Sequence, residues 1–536
     1  MPKLTSILKK HRRYPMTPLK SKQQKSMNRE GQEIHSKLIR NVNYLKEKTG
    51  NSQDLIFRTL TFMEGQQYLI SIGYIAELTE QPFIEQLIQN VLMKEVKEYL
   101  NKENTTAFKL FQYLKHYALP IDAHQQLTTL DDVFDYLFNG DIILFIDGVP
   151  HCLVIGAELK EGRGVEEPTS QTLVRGPKDG FTETISVNKS LIRRRIKVPD
   201  LWMDKMIIGR KTKTEVAIVY LETVADKKMV DELKSRMKKV DIDGLLEGGQ
   251  LEEYIQDATF TPFPTIMNTE RPDAATTAIL DGKIVVIVDG SPFVLILPAV
   301  FANFFETNED YYQRVDISTA LRILRYLAFF LALLVPSLYI AVTTYHQEML
   351  PTALLISLAA QREGIPFPAI IEVFMMEIAF EILREAGIRL PRAVGSAISI
   401  VGGLVLGQTA VEAGIVSSAM VIVVSLTAIS NFVSPSFNLA ISVRLLRFLF
   451  IILGGILGLY GIILGLIGLV LHLTSLRSFG VPYMTPFAPF ILKNQKNTLL
   501  RFPLWALRDR SLFISKKNTK RANTEKPAPP SKGASS

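Results

Sequence analysis

The sequence predicts a mixed fold, in which an α/β soluble N-terminal region of two subdomains is followed by an α-helical polytopic membrane domain. With 536 residues, the chain is too long for one hydrophobic core. Its hydrophobic content of 47% is high for a soluble protein, whereas its charged content of 21% is high for a chain lying wholly in a membrane. The character of the chain changes after Asp310, where long uncharged apolar segments begin.

Composition and charge divide the chain further. Residues 1–50 and 473–536 each carry a net charge of +10, so the middle carries −12 of the total of +8. Basic tails could indicate nucleic-acid binding, but no zinc-ligand spacing or known RNA or DNA module supports it. On a chain with membrane spans they indicate the cytoplasmic side and contact with anionic lipid.

We assign a basic disordered tail (1–50), soluble subdomain 1 with helices and a hairpin (51–160), α/β soluble subdomain 2 with a hairpin at 283–298 (161–305), a transmembrane helical domain (306–475) and a basic cytoplasmic tail (476–536).

One phrase occurs twice in the soluble region. NGDIILFIDGVPHCLVI at 139–155 aligns without a gap to DGKIVVIVDGSPFVLIL at 281–297. Asp-Gly between two aliphatic runs, with proline two residues later, is typical of a β-hairpin. The pattern predicts a duplicated structural module, although common hairpin residues could also match by coincidence.

Motifs of soluble enzymes are absent from the sequence. It contains no GxxxxGK[ST] phosphate loop, no HExxH and no GxSxG, and its seven histidines are scattered. The single cysteine, Cys152, excludes an internal disulfide and a cysteine-based metal site, and its apolar surroundings predict a buried structural thiol. We therefore expect no enzyme activity, no cofactor and no metal.

Several segments after residue 320 are typical of membrane spans. Residues 326–343 contain no charge and would extend ~27 Å as a helix, enough to cross a hydrocarbon core. Segments 414–432 and 448–471 are similar, and 394–411 is shorter. Arg322 and Arg325 precede the first span and predict its cytoplasmic end. Cytoplasmic location of both termini requires an even number of crossings.

Glycines in the later spans recur at intervals that place them on one helix face. Small residues there allow close approach of another helix, although glycine-rich membrane composition would look the same. The predicted helix-packing glycines are Gly403, Gly407, Gly454, Gly458, Gly461, Gly465 and Gly468.

The segment 349–392 carries the most informative charges. Glu377, Glu381 and Glu385 share one stripe of a predicted helix, with Glu372 off it. Carboxylates at membrane depth are costly unless they face water or a partner charge, so copies of this helix around an axis would form cation-selective acidic rings. The alternative is an interfacial helix whose glutamates are solvated or paired with nearby arginines, namely Arg384, Arg389 and Arg392.

The same segment contains glycine and proline residues at several positions. Gly364, Pro366, Pro368 and Gly387 are positions where backbone angles could change, so they are candidate gating hinges. Static kinks explain the same residues equally well.

Several stretches resemble one known family. PFPTIMNTERPD at 262–273, DGSPFVLILP at 289–298, REGIPFP at 362–368, EILREAGIRLP at 381–391 and GLVLGQTAVEAGIVS at 403–417 are similar to the GerA family of spore germination proteins. The resemblance covers roughly residues 130–490 and is closest to the A subunits of nutrient germinant receptors.

This resemblance implies a receptor complex in the spore inner membrane. It implies a transporter-like B subunit that binds the nutrient, a lipoprotein C subunit, and A subunits that form a homo-oligomeric, nutrient-gated channel releasing monovalent cations. A related paralogue class amplifies ion release without sensing a nutrient. A nutrient permease component or a membrane scaffold is the alternative function.

Overall fold

The computed structural model describes residues 32–64, 66–102, 105–118, 125–159, 167–168, 170–389, 405, 407–511, 513–516 and 518–526. The architecture confirms the predicted fold class, with two soluble α/β units followed by long apolar helices. We call the soluble units unit 1 (32–159) and unit 2 (170–312). Residues 1–31 and 527–536, which the sequence assigned to tails, lie outside the described residues.

Unit 1 is a five-stranded antiparallel sheet between two helical layers. Its elements are α1 (Leu38–Lys48), β1 (Leu55–Glu64), β2 (Gln66–Ile75), α2 (Gln81–Gln86), a π-helical stretch (Leu87–Val96), α3 (Lys97–Lys102), α4 (Ala107–Tyr113), a second π-helical stretch (Leu114–Ala118), β3 (Gln125–Leu127), α5 (Leu130–Leu137), β4 (Ile142–Ile146) and β5 (Cys152–Ile155). Successive strand residues point to opposite faces of a sheet. Accordingly, Leu144 packs against the layer of α2 to α4, whereas Phe145 packs against α1 and α5.

Unit 2 repeats this arrangement. Its elements are α6 (Ile185–Arg193), β6 (Leu201–Ile208), β7 (Thr214–Leu221), α7 (Lys227–Lys239), α8 (Gly248–Ile255), β8 (Met267–Thr269), α9 (Pro272–Leu280), β9 (Ile284–Val288), β10 (Val294–Leu297), a 3-10 turn (Phe301–Phe305) and α10 (Glu309–Tyr312). The strand order is β1-β2-β4-β5-β3 in unit 1 and β6-β7-β9-β10-β8 in unit 2. These are the same order, so the two units share one topology.

The repeated phrase forms the same hairpin in both units, which confirms the predicted duplication. Its glycines, Gly148 and Gly290, both adopt positive φ, at 90° and 86°. The preceding aspartates also make equivalent bonds. Asp147 accepts a hydrogen bond from the amide of Leu38, the first residue of α1, and Asp289 accepts one from the amide of Ile185, the first residue of α6.

A buried ion pair joins the two units. The Arg193 guanidinium on α6 lies 2.7 Å from the Asp54 carboxylate before β1, and both side chains are almost fully buried. Nearby, Gly50 has φ of +62° and lies directly against the Trp202 ring, where no Cβ would fit. The units therefore meet through a close, partly charged contact.

Residues 32–50 are structured, unlike the disordered tail that the sequence predicted. Leu38, Val42 and Leu45 of α1 are buried in the core of unit 1. Their spacing of four and three residues places them on one helix face. The charged residues between them obscured this pattern in the sequence.

Long apolar helices follow unit 2. They include α11 (Val315–Thr344), α12 (Thr352–Arg362), α13 (Ala369–Arg389), α14 (Ser418–Phe432) and α15 (Phe437–Ser475), with a 3-10 turn at Gln347–Met349. Of the helices in the described part of the chain, α11 and α15 are long and apolar enough to cross a membrane. They indicate membrane association. Most of the predicted span 394–411 lies outside the described residues.

Helix α15 is an antiparallel helical hairpin. Gly458 has φ of 61° and ψ of −144°, so the helix breaks there. A Cβ added at Gly465 would lie 2.9 Å from the ring of Phe450, although a straight helix would hold these residues ~22 Å apart. Both ends lie near one loop of unit 2, because Ser442 bonds Pro262 and His472 bonds Thr261.

The chain then returns to unit 2 as the C-terminal segment (476–526), much of which the sequence assigned to a cytoplasmic tail. It contains β11 (Arg477–Ser478), β12 (Val481–Pro482), α16 (Leu492–Gln495) and a 3-10 turn (Leu504–Ala506). Phe479 and Val481 join the hydrophobic core of unit 2. Ser515 donates a hydrogen bond to the Val224 carbonyl. Burial of these apolar residues holds a strongly basic segment on the soluble region.

Candidate functional site

Helix α13 carries the acidic stripe predicted from the sequence. The helix begins immediately after Pro368, whose carbonyl accepts the amide of Glu372 in the first turn. Val373 is fully buried and packs with Ile340 of α11, among residues from α14 and α15. The helix is therefore held against three neighbouring helices, and its polar residues have defined surroundings.

Two arginines of α15 neutralise the middle of the stripe. Arg447 Nη2 lies 2.9 Å from Glu377 Oε2 and 3.3 Å from Glu381 Oε1, and Arg444 Nη1 lies 3.0 Å from Glu381 Oε2. The contact at Glu377 has the distance of an ion pair without the alignment of a hydrogen bond. We call these four residues the charge cluster. Its two carboxylates face two guanidiniums, so the charges balance within one chain.

The burial of the charge cluster is graded. Glu377 and Arg447 are 0% and 1% exposed, whereas Glu381 is 26% and Arg444 is 19% exposed. A buried pair in a low-dielectric surrounding interacts more strongly than an exposed one and is costly to break. At one end of the stripe, Glu377 is therefore closed off from solvent, whereas Glu381, in the middle of the stripe, is partly exposed.

The remaining glutamates of α13 have other partners. Glu385 pairs with Arg389 at 2.6 Å, one turn later, and both are largely exposed. Glu372 is buried and accepts hydrogen bonds from the amide and hydroxyl of Ser417, the N-cap of α14, with Arg362 at 3.6 Å. Glu372 thus anchors one helix to another, away from the stripe, as its helical position predicts.

The candidate hinges fall in two kinds of backbone. Gly364 lies in the turn after α12, and Pro366 and Pro368 lie in the extended link to α13. A Cβ added at Gly364 would meet no atom within 4 Å. Gly387, in contrast, lies inside α13, which continues to Arg389. The turn and link of residues 363–368 are the non-helical part of this segment.

Two of the candidate packing glycines contact another helix. A Cβ at Gly454 would lie 2.9 Å from the carbonyl oxygen of Ser337 in α11. One at Gly407 would lie 3.4 Å from Val421 of α14. Close approach of helices at small residues is the contact that the sequence pattern predicts.

The remaining glycines of this set have different surroundings. Gly461 and Gly465 face the first half of the α15 hairpin, and Gly458 forms its break. Gly468 has no atom within 4 Å of an added Cβ. Gly403 lies outside the described residues.

Sequence reasoning missed the arginines of the charge cluster. Arg444 and Arg447 stand three residues apart immediately before the apolar run 448–471, in VRLLRF. Their spacing places both on one helix face. This spacing was a usable signal, but it does not identify the partner helix, which only the packing of α13 on α15 determines.

Arg322 and Arg325 form a second charged contact where unit 2 meets α11. Arg322 is fully buried with its Nη2 2.9 Å from Asp310 Oδ2, and Arg325 Nη1 lies 2.9 Å from Asp310 Oδ1. Arg322 also donates to the carbonyl of Asn497 in the C-terminal segment. Arg322, on the first apolar helix, therefore links Asp310 of unit 2 to the C-terminal segment.

The comparisons with known proteins agree on one family. Residues 43–513 match the family model described as Bacillus/Clostridium GerA spore germination protein. The chain is 45% identical to spore germination protein KA of Bacillus subtilis (strain 168), over 92% of this chain and 90% of that protein. It is 38% identical to spore germination protein GerLA of Bacillus cereus, over 91% of this chain and 97% of that protein.

Among solved structures, the chain is similar to the crystal structure of the N-terminal domain of the A subunit of the Bacillus megaterium spore germinant receptor GerK3. The identity is 35% and the TM-score 0.39, and the match covers 51% of this chain and 98% of that domain. The family match covers unit 1 from residue 43 onward, all of unit 2, the charge cluster and most of the C-terminal segment. The chain therefore belongs to the GerA family of spore germination proteins.

Proposed function

We propose that this chain is the A subunit of a spore nutrient germinant receptor, and that several copies form an ion channel opened when the receptor binds its nutrient. The channel releases monovalent cations and so starts germination. The names of the GerA relatives support a role in germination. The channel activity is argued from the surroundings of α12 and α13.

The exposure of α12 is the observation that carries this proposal. It contains 11 residues and none of them is buried. At ~1.5 Å per residue it extends only ~16 Å, about half of a hydrocarbon core. Leu354 and Ile356 are 47% and 64% exposed. Such a short apolar helix, left largely exposed by the part of the chain that the structure describes, is expected to pack against neighbouring copies.

The exposed face of α13 has the same property. Ile378 and Ile382 are 49% and 64% exposed, and exposed Glu385 lies beside them on the helix. Copies arranged around an axis would bring α12 and this part of α13 together. Glu381 and Glu385, the more open glutamates, would form acidic rings once they separate from Arg444 and Arg389, their partners in this structure, and Glu377 would hold α13 to α15 through Arg447. Rings of carboxylates favour cations.

Gating follows from the position of the link before α13. Nutrient recognition by a transporter-like B subunit, with a lipoprotein C subunit in the same complex, would bias the soluble units. Asp310 transmits that bias to α11 through Arg322 and Arg325. The non-helical residues Gly364, Pro366 and Pro368 supply the backbone rotation that moves α12, whereas Gly387 would have to move as part of a helix.

We also propose that the domain spans the spore inner membrane several times. The hairpin of α15 begins and ends near one loop of unit 2, with its turn at Gly458 close to Tyr345 at the far end of α11. Helix α11 leaves unit 2 and ends on the far side of the membrane, whereas α15 starts beside unit 2. The chain between α11 and α15 must therefore cross the membrane an odd number of times. The total is then even, so both termini lie on the same side of the membrane, and their basic charge indicates that this side is the cytoplasm.

Potassium release from germinating spores tests the channel. In spores carrying Glu381→Gln, we expect altered potassium release after nutrient addition, with unchanged amounts of the chain by immunoblot. Glu348→Gln is the matched control, because Glu348 is an exposed carboxylate in the turn before α12 and forms no ion pair among the described residues. Unchanged release from the Glu381 variant would remove this residue from the ion pathway.

Reconstitution separates the channel from the alternatives. Liposomes containing the receptor should lose a potassium gradient rapidly once nutrient is added. A permease component would instead move nutrient slowly, a membrane scaffold would pass neither, and the amplifying paralogue would release ions without responding to nutrient. Any of these three results would contradict the proposed nutrient-gated channel.

A further inference from the structure

A cavity lies between unit 2 and the C-terminal segment. Its volume is about 200 Å³, below the roughly 300–1,000 Å³ of pockets that hold drug-sized molecules. One wall comes from α9 and the 3-10 turn Phe301–Phe305, and the other comes from residues 481–521. Both walls combine apolar and polar side chains, as binding pockets for small polar molecules do.

Two opposite charges line this cavity without pairing with each other. Lys283 is 6% exposed and donates to Asn303 Oδ1 at 2.7 Å, which occupies one of its three donor positions. The Glu306 carboxylate lies 4.0 Å from Arg322, at the limit of an ion pair. Within the described residues, Lys283 and Glu306 do not form an ion pair with each other. Burial lowers the pKa of Lys283 and raises the pKa of Glu306, because removal from water disfavours the charged form of each group.

Two buried oxygens at the wall have no hydrogen-bond partner among the residues that the structure describes. Asn497 Oδ1 and Thr485 Oγ1 are buried and unpaired, and both residues line the cavity. The amide nitrogen of Asn497 is already used, donating to the Tyr311 hydroxyl at 2.6 Å. Buried polar atoms normally have a partner, so these oxygens indicate space for a hydrogen-bond donor.

The cavity wall that the C-terminal segment forms is basic. Lys493, Lys496 and Arg508 line it, and no ion pair among the described residues neutralises them. Arg521 also lines the cavity, but its charge is balanced by Asp281 at 2.8 Å. The excess of positive charge favours entry of a molecule that carries a carboxylate.

From these features we infer that the cavity binds a small zwitterion, whose carboxylate contacts Lys283 and whose ammonium contacts Glu306 and the free oxygens. A simple anion would lie beside the Glu306 carboxylate, and a simple cation would lie beside the Lys283 ammonium. A zwitterion can place a complementary charge at each of these two groups. The cavity volume limits the ligand to about the size of a free amino acid.

The position of this site gives its occupant access to α11. Glu306 neighbours Arg322, and Arg322 donates to the carbonyl of Asn497. A bound molecule would thus touch the contact that joins unit 2 to the membrane helices. This site lies on the chain itself and is separate from the nutrient recognition that the proposed function assigns to the B subunit.

Direct binding tests the inference without any ion flux. The full chain, purified in detergent, is titrated with two zwitterions of different charge spacing, alanine and 4-aminobutanoate, and with propionate and ethylamine, which each lack one charge. We expect saturable binding of at least one zwitterion and weaker binding of both single-charge probes. Because binding and flux are measured separately, failure here leaves the channel proposal to its own test.

Variants locate the binding. In Lys283→Met and Glu306→Gln we expect affinity to fall about tenfold or more, the loss expected of one charge-assisted hydrogen bond. Lys239→Met is the control, because Lys239 is an exposed lysine on α7. If Lys283→Met fails to fold, Ala274→Phe is the second test, because its larger side chain on α9 fills the cavity. We expect Ala274→Phe to abolish binding. Absence of binding, equal binding of propionate, or unchanged affinity in the cavity variants would each overturn the inference.

Discussion

The guanidinium of Arg447 lies 2.9 Å from the carboxylate of Glu377, between two apolar helices where both side chains are almost completely buried. The carboxylate that the sequence singles out as the start of an acidic stripe is therefore neutralised within its own chain. A charge at this depth is tolerated because its partner lies beside it. The pair fastens α13 to α15.

Removal of Arg447 should destabilise the membrane domain more than removal of both partners. Arg447→Met leaves Glu377 buried without its counter-charge, a change that typically costs about 3–5 kcal/mol. The double variant Glu377→Gln/Arg447→Met removes both charges, and Glu381 keeps Arg444. We expect the midpoint of thermal denaturation in detergent to fall in the single variant and to recover largely in the double variant. Simple additivity of the two substitutions would contradict the pairing.

Gly458 should be intolerant of a side chain, whereas Gly468 should accept one. With φ of 61° and ψ of −144°, Gly458 occupies a region that is essentially restricted to glycine, and an added Cβ would lie 2.9 Å from the ring of His346. Gly458→Ala should therefore lower the amount of folded protein. Gly468→Ala, in open helical surroundings, should match the parent or gain about 0.5–1 kcal/mol. Size-exclusion chromatography of both variants measures this, and equal behaviour would argue against the hairpin.

The equivalent aspartates Asp147 and Asp289 should each protect the first turn of one helix from hydrogen exchange. Asp289→Ala removes the side-chain acceptor of the Ile185 amide, and Asp147→Ala removes that of Leu38. Loss of an N-terminal acceptor costs about 1 kcal/mol. Hydrogen exchange followed by mass spectrometry should show faster exchange at the start of α6 in the first variant and at the start of α1 in the second. Each variant is the control for the other, because the units have separate cores.

The stability of unit 2 should depend on the ionisation of Glu252. Burial, together with the charge of Glu247, raises the pKa of Glu252 to about 7, above its ordinary value of 4.5. The folded state therefore binds this proton more tightly than the unfolded state does. The resulting stabilisation is complete below pH 4.5 and is lost as the pH rises through about 7.

Glu252→Gln should remove this pH dependence. Between pH 5 and pH 8, the midpoint of thermal denaturation of the parent should fall relative to that of the variant, because only the parent must ionise a buried carboxyl. Glu253→Gln, at the adjacent exposed position on α8, is the control. Parallel pH profiles of the parent and of Glu252→Gln would contradict the assignment.

Local patterns were sufficient for much of the fold. The repeated Asp-Gly phrase predicted two equivalent hairpins, because a glycine that tolerates positive φ between two aliphatic runs is a local signal for that turn. The expected burial of Cys152 is confirmed, and burial raises the pKa of its thiol to about 12. The amphipathic helix α1 was missed, since its apolar face is diluted by basic residues within a basic tail.

The surroundings of the acidic stripe were less accessible from the sequence. The pattern correctly grouped Glu377, Glu381 and Glu385 on a helix, and the pairing of Glu385 with Arg389 was among the alternatives considered. The partners Arg444 and Arg447 lie more than 60 residues further along the chain. Helical periodicity specifies which face a residue occupies, but it does not specify which helix packs there.

The sequence by itself determined the family, the duplicated soluble units and the position of the charges along each helix, because those properties depend on neighbouring residues. The tertiary structure alone decided that α15 folds back at Gly458 and that arginines of α15 neutralise Glu377 and Glu381 of α13. It also decided that the C-terminal segment closes a cavity around Lys283 and Glu306. These relationships join residues far apart in the chain, and they depend on how apolar surfaces pack, which local sequence patterns do not specify.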